Sequence, residues 1–578
     1  MKTNTQNKNS FHLYHHSYKF LSFNISKSLR FSIILFTIHY SLFTASFAQV
    51  NFEPTNKSVY NFLERMSNKG AIQLNEEILP FSRRYIAEKI VELDKIKSKL
   101  SNLEKDDLEF YIREYSIELK KLNFDLQNYE GKNKLVDLKT DNFGFDKYNR
   151  FRLFSYDSDN FGIFADPIFR LNYASGDENS SLWSNGLRLY GNLGSSFGFE
   201  LQFYDNHASG DFYNTDRKFS SLTGYEFIVG KNDGLDFDRM NANLTYSWNS
   251  GSVTLGKDFN YYGSGENGKL LLSNKSPSFP NLKLEVHPTN WLRFSYMHGV
   301  LNSQIIDSTT IRLNPQRNHF STVEKYFVTH LLSITPFKSL NFSVGESVIY
   351  SDKFQPIYLI PIAFFRLADH YLTDPDENAG NAQLFASFWY KNYKLRTKFY
   401  GSVFIDELSL GTPDNPEATA YNLGFKTIDP LIPESELKVE YTKVLPFVYF
   451  HSDPAQTYES YGYQLGHWIG SNADQIYASF TKRIVRGLNF KLEYSYTRKG
   501  EEENFDEVRY QDKHSFLWGK NTLYTDYGAT LSYEIMHDLF ATMSYNKLDI
   551  SAEQEDNNFI ESSNSYFNFS VVYGFNGL

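Results

Sequence analysis

Residues 253–285 read VTLGKDFNYYGSGENGKLLLSNKSPSFPNLKLE, two alternating segments around a middle crowded with Gly, Ser, Asn and Tyr. Alternation is the period of a half-buried strand, so the stretch predicts two strands joined by a long loop. Within it, Gly263 to Gly268 spell G-x-G-x-x-G, which in a dinucleotide-binding protein cradles a pyrophosphate between a strand and the start of a helix. That reading fails here. Leu270 to Leu272 are followed by Pro277 and Pro280, which break the helix that the fingerprint requires.

On both sides of this stretch, from Phe164 onward, the alternation recurs in segments of about ten residues, the length a tilted strand needs to cross a bilayer. In Lys394 to Val403 one face carries Leu, Thr, Phe, Gly and Val, and the other Lys, Arg, Lys, Tyr and Ser. Leu437, Val439 and Tyr441 stand likewise opposite Lys438, Glu440 and Thr442. The segmentation gives about 18 strands, and their connections sort into short and long by parity, as in membrane barrels. Short ones include Gly194-Ser195, Asn249 to Gly251, Pro288 to Asn290, Pro336-Phe337 and Asn392-Tyr393. Long ones include Asn206 to Asp238, Asp258 to Asn281, Asn302 to Lys325, Ser351 to Gly380, Pro446 to Gln475 and Lys499 to Thr525. A soluble sandwich has no reason to sort its loops this way. The expected fold is an antiparallel outer-membrane β-barrel over residues 161–578, with short turns towards the periplasm and long loops at the cell surface.

Residues 49–130 follow another period. Val59, Phe62, Leu63 and Met66, then Ile86, Ile90 and Leu93, then Leu108, Tyr111, Ile112, Tyr115 and Leu119 have helical spacing. They predict three short helices: one ending at Gly70, one starting near Pro80 and Ser82, and one opened by a Ser101/Glu104 capping box. So short a helical domain is marginal alone and is expected to dock on the periplasmic side of the barrel; an independent partner-binding domain is the alternative. Residues 131–160 are polar and mixed, a connector into the barrel. Residues 1–48 carry five basic side chains, no acidic one, an apolar run Phe31 to Phe43 and then Ser46-Phe47-Ala48. This is the pattern of a signal peptide cut before Gln49.

Loss of that leader takes the formal net charge from −10 to −15, which argues against nucleic acid as a partner. Cysteine is absent, excluding disulfides and zinc–thiolate sites. Aromatic residues make up 17% of the chain although mean hydropathy is −0.47, a combination that fits strands with one wet face and one lipid face.

The opening stretch resembles the Wzi family of outer-membrane capsule-assembly proteins, whose pattern runs G-(K/R)…YWGPG…G…L-x-LS-N…P. Gly256-Lys257, Tyr261 to Gly265, Gly268, Leu270 to Asn274 and Pro277 match it, with Tyr262 in place of Trp and Ser264 in place of Pro. Leu465 to Asp474 (LGHWIGSNAD) resembles the family's LGH-x-LG-x-NA-D block, and Val59 to Arg65 with Leu79 to Arg84 resembles its helical lead-in. The resemblance implies a lectin-like barrel that helps attach capsular polysaccharide to the cell, with no cofactor. The candidate carbohydrate contacts are Tyr261, Tyr262, Glu266, Lys269, Asn274, Tyr461, His467, Trp468, Asn472 and Asp474. A flat ring covers the apolar face of a pyranose while polar neighbours take its hydroxyls. A loop packed on its own aromatics is the plainer reading of the same residues.

Arg188, Lys394, Arg396, Lys398 and Lys438 fall on polar faces of strands. Together in the lumen they form a basic path for an acidic polymer; paired with lumen carboxylates they form ordinary salt bridges. Neither G-x-S-x-G nor H-E-x-x-H occurs, so no catalytic or metal-ligating residue is assigned. The sequence therefore points to a monomeric barrel embedded in outer-membrane lipid that binds surface or capsular polysaccharide. A porin or solute channel is the alternative, and a barrel-wall hydrolase stands third.

Overall fold

A computed structural model describes residues 51–578 apart from 131–138, 141, 149, 177–178, 211–216, 232–233, 313–318, 373–379, 408–416, 503–513, 557 and 575–578. The leader expected over 1–48 lies outside the described residues.

Eighteen strands close into one antiparallel barrel. They are β1 (Phe161–Gly176), β2 (Asn179–Leu193), β3 (Phe197–Ser209), β4 (Gly234–Trp248), β5 (Gly251–Asp258) and β6 (Phe279–Thr289). Next come β7 (Leu292–Ile306), β8 (Thr322–Phe337), β9 (Leu340–Ser351), β10 (Asn381–Asn392), β11 (Thr397–Glu407) and β12 (Ala418–Ile428). The last six are β13 (Ser435–Val444), β14 (Ala473–Val485), β15 (Leu488–Lys499), β16 (Thr522–Met536), β17 (Leu539–Glu553) and β18 (Phe559–Tyr573). Tyr573 pairs with Phe169 and Tyr566 with Gly176, so β18 closes on β1. Tight turns such as 249–250 and 486–487 lie at one end, and the strands that flank the long segments expected from sequence enter and leave them at the other. No described helix is long and apolar enough to cross a membrane.

The two-residue period sets the wall as expected: Phe399 and Val403 face outward, while Lys398, Tyr400, Ser402 and Phe404 are buried inside. One register expectation is corrected. Lys394 and Arg396 belong to the turn before β11, and Arg396 has φ +50° and pairs with Asp429 at 2.8 Å. The chain must reverse within 393–396, and a residue in the left-handed region completes that turn.

Four helices, not three, cover the short-turn end: α1 (Val59–Asn68), α2 (Arg83–Asp94), α3 (Asn102–Glu114) and α4 (Ser116–Lys121). The expected third helix breaks at Tyr115, whose backbone leaves helical geometry with ψ +24°. Ser82 caps α2 and the Ser101/Glu104 capping box opens α3. Val59, Phe62, Leu63 and Met66 bury one face of α1 against Ile86, Ile90, Leu108, Ile112 and Leu119, each apolar side chain contributing about 1.5–3 kcal/mol. Salt bridges then fix the helices to the turns: Arg65 reaches Asp429 at 2.7 Å, Arg483 pairs with Asp107, and Lys57 pairs with Asp538.

Candidate functional site

The long segment after β5 folds inward instead of reaching away from the barrel. Tyr261-Tyr262 forms a short strand with Ile78-Leu79 from the helical segment, so chain from both ends of the barrel meets inside the lumen. Tyr262 is 0% exposed, its hydroxyl 2.7 Å from Ser295 Oγ. Around it Leu270, Leu271 and Leu272 pack on Met297, Leu301, Phe327, Leu331, Ile349, Phe385 and Phe404 of β7–β11. The plug thus leans on the side of the lumen whose inward residues are apolar.

The glycines of G-x-G-x-x-G have a steric reason. Gly265 has φ +139°, and a Cβ there would lie 2.1 Å from the Gly268 carbonyl oxygen; a Cβ on Gly268 would lie 2.5 Å from the His467 ring. Only glycine lets the loop turn that tightly beside the histidine. Glu77 accepts from Ser264 Oγ and Ser387 Oγ, both at 2.7 Å, and Glu440 accepts from the Glu266 backbone N–H at 2.6 Å. The carboxylates thereby satisfy loop donors that no strand pairs.

Beside these contacts lies an ionic lattice. Lys391, Lys398, Lys426 and Lys438 of β10–β13 meet Glu64 and Glu76 of the helical segment, Glu266 of the inward loop and Glu436 of the wall. Lys438 is 3.0 Å and Lys398 3.3 Å from Glu266. Burial alone would raise the Glu266 carboxyl, but Lys426, Lys438 and Lys398 hold it well below the usual carboxylate range, and Lys269 adds to that pull. Four cations face four carboxylates, so this part of the wall offers no bare basic path. Arg188 belongs to a separate cluster, 2.8 Å from Glu200. The five basic residues singled out by sequence are therefore not brought together.

Opposite the plug, a cavity of about 1490 Å³ runs along β13–β18 and β1–β5, from Asn61 and Tyr111 of the helices to Trp468 of the outer segments. Its wall includes Ser495, Thr497, Thr530, Ser532, Ser544, Asn546 and Asn568, the charged Arg217, Arg239, Lys491, Glu493 and Asp526, and Tyr261, Asn274 and Lys438 from the expected set. Trp468 is half-buried: its indole N–H donates to Asn267 O at 2.9 Å, and its ring lies 5.6 Å from Phe219, which lies 4.5 Å from Tyr524. Three adjoining rings beside hydroxyls and amides make a surface suited to a sugar. Sequence reasoning missed Phe219 and Tyr524; Phe219 sits in a segment without periodicity, whereas the polar inward positions of the last strands were visible in their alternation.

The remaining candidates sit elsewhere. His467 is 0% exposed, and burial pushes its imidazole down to about 3, leaving it neutral. Asn472 is pinned among Glu501 O, Trp518 O and the Leu517 N–H. Asp474 is held by Arg498 at 2.6 Å and the Tyr441 hydroxyl at 2.9 Å, on the outward side of β14. Tyr461, with φ +56°, donates its N–H to Asn302 O. Among the described residues no group of His, Asp and Glu is arranged to hold a metal ion.

Comparison places this architecture among known proteins. No curated protein matches the sequence. Among solved structures, Wzi of Escherichia coli, described as an outer membrane protein involved in group 1 capsule assembly and a carbohydrate-binding β-barrel, superposes with TM-score 0.54 at 12% identity, covering 92% of this chain and 100% of that one. OprD of Pseudomonas aeruginosa gives 0.39 at 12% identity over 71% and 93% of the two chains, and OccAB1 of Acinetobacter baumannii 0.42 at 9% over 71% and 96%. The family model for capsule assembly protein Wzi matches residues 175–561. That span takes in the inward loop, the lysines of the ionic lattice and the Trp468 block, and with it this outer-membrane barrel belongs to the Wzi capsule-assembly family.

Proposed function

We propose that the chain binds surface or capsular polysaccharide along the wet side of its lumen and helps hold that polymer at the cell surface, as a monomeric barrel that performs no chemistry on it. The observation that supports this reading is the division of the lumen. One side is filled by the plug, and the other is a polar cavity, rich in hydroxyls and amides and edged by both acidic and basic side chains, whose wall includes Trp468, Phe219 and Tyr524. In this reading the helical domain over 49–130 faces the periplasm and the long segments face outward. A saccharide stacked on Trp468 meets Asn274 and Tyr261 from the plug and the polar wall from β15–β18.

The test compares polymer retention with barrel abundance in the same cells. Trp468→Ala should weaken retention, losing on the order of 2 kcal/mol for a stacked anchor, with the amount of barrel in the membrane unchanged. A fall in abundance instead would assign Trp468 to loop packing, and normal retention at normal abundance would remove it from the site.

A further inference from the structure

The outer face of the barrel wall carries an unexpected polar seam. His298 of β7, His330 of β8, and Glu346 and Tyr350 of β9 alternate with the lumen residues Met297, Leu331 and Ile349, so they point away from the lumen, where lipid is expected. Charged and strongly polar groups on that face are costly. Yet Glu346 is only 2% exposed.

What covers it is the segment after β9. It descends over the outside of β7–β9 as a short 3₁₀ turn (Pro356–Leu359) and a helix (Phe365–Leu372). The Phe365 N–H donates to Glu346 Oε1 at 2.6 Å, His330 Nδ1 donates to Pro361 O at 2.9 Å, and His330 Nε2 lies 3.2 Å from Glu346 Oε1. The Tyr296 hydroxyl donates to Tyr358 O at 2.7 Å, and His298 Nε2 lies 2.8 Å from the Tyr350 hydroxyl. Tyr358 and Phe365 pack on Tyr296, Val328 and Val348. The polar groups of seam and segment satisfy one another on the inner side.

The outer side of the same segment is apolar. Ile360, Ile362, Phe364 and Leu367 are exposed, Ile362 at 83%, and Arg366 is the one charge among residues 356–368. This surface continues the apolar wall formed by Val300, Phe342 and Val344, which are also exposed on β7 and β9. We propose that residues 354–368 form a flap inserted between barrel and bilayer: its inner side neutralises the polar seam and its outer side is a binding surface for lipid acyl chains. Continuity with the lipid-facing wall and the scarcity of charge favour hydrocarbon over an aqueous partner.

The chain has no cysteine, so single spin labels report without background substitutions. Ile362→Cys and Phe364→Cys, labelled in the full-length protein in phosphatidylcholine vesicles, should be accessible to oxygen and lose accessibility to a water-soluble nickel complex. They should match Phe342→Cys on the open wall and differ from Leu431→Cys in an exposed turn. Glu346→Gln in the Ile362→Cys background should increase label mobility, since the clamp on the helix start is weakened. Aqueous accessibility at both flap sites would overturn the proposal. So would inaccessibility to both reagents or spin–spin broadening, which signify a protein neighbour or a second copy. Unchanged mobility in the Glu346→Gln protein would overturn the clamp.

Discussion

Gly268 shows how one hydrogen atom decides the path of a loop. With a Cβ 2.5 Å from the His467 ring, Gly268→Ala forces either the imidazole or the inward loop to shift, an overpacking penalty of about 1–3 kcal/mol. Faster proteolysis of residues 261–272 in the folded barrel, with unchanged membrane insertion, is the expected result. Tyr262 makes the opposite case. Its ring is buried against Ile78 and Leu272, and its hydroxyl reaches Ser295, so it acts on the plug and not on a ligand. Trp468, half-exposed in the cavity wall, is the aromatic residue of the two family-like blocks whose loss should change binding first.

Among the elements, α1 is the one most firmly tied to the barrel. Arg65 joins Glu104 of α3 at 3.2 Å to Asp429 at 2.7 Å and Glu434 at 3.1 Å in the turn between β12 and β13. Arg65→Ala removes the buried cation that joins them, while Lys69, Arg396 and Arg483 still hold Glu104, Asp429 and Glu434 one by one; the loss should be about 1.5–3 kcal/mol, and amide exchange in α1 and α3 should accelerate well before the strands exchange. Acid gives a handle on a second contact between the helical segment and the barrel, that of Glu76 with Lys391 and Lys398. Burial works to raise the Glu76 carboxyl, but Lys391 and Lys398 bring it down from 4.5 to about 2. A carboxylate with a lowered folded value stabilises the docked state fully above pH 4.5 and loses that contribution as pH falls through about 2. Exchange protection in the helices should therefore be the same at pH 7 and pH 5 and decline between 4.5 and 2. Protection lost already near pH 6 would assign the effect to a buried histidine instead.

For the whole molecule, the plug converts a barrel wide enough for a channel into one with a lined recess. The full-length protein in a planar bilayer is expected to show closed or flickering behaviour. Tyr262→Ala, which removes a large buried ring at about 3–5 kcal/mol, should raise the frequency and size of open events. A large, steady conductance from the unaltered chain would favour a solute channel and count against the lectin reading. Conductance unchanged by Tyr262→Ala would mean that the inward loop does not control passage.

The barrel itself was written into the sequence, because a two-residue period is a local property: Phe399 and Val403 against Lys398 and Tyr400 declare their faces without reference to any other strand. The helix caps at Ser82 and Ser101 were legible for the same reason. What the sequence could not supply was the destination of the aperiodic segments. Glu266 reads as a candidate carbohydrate contact in an outer loop until three lysines from three strands converge on it, and the run Pro356 to Ala368 reads as a surface loop until Glu346 and His330 appear beneath it. Those placements depend on charges and apolar faces from distant parts of the chain finding one another across a closed barrel, and only the tertiary structure brings them within a few ångströms.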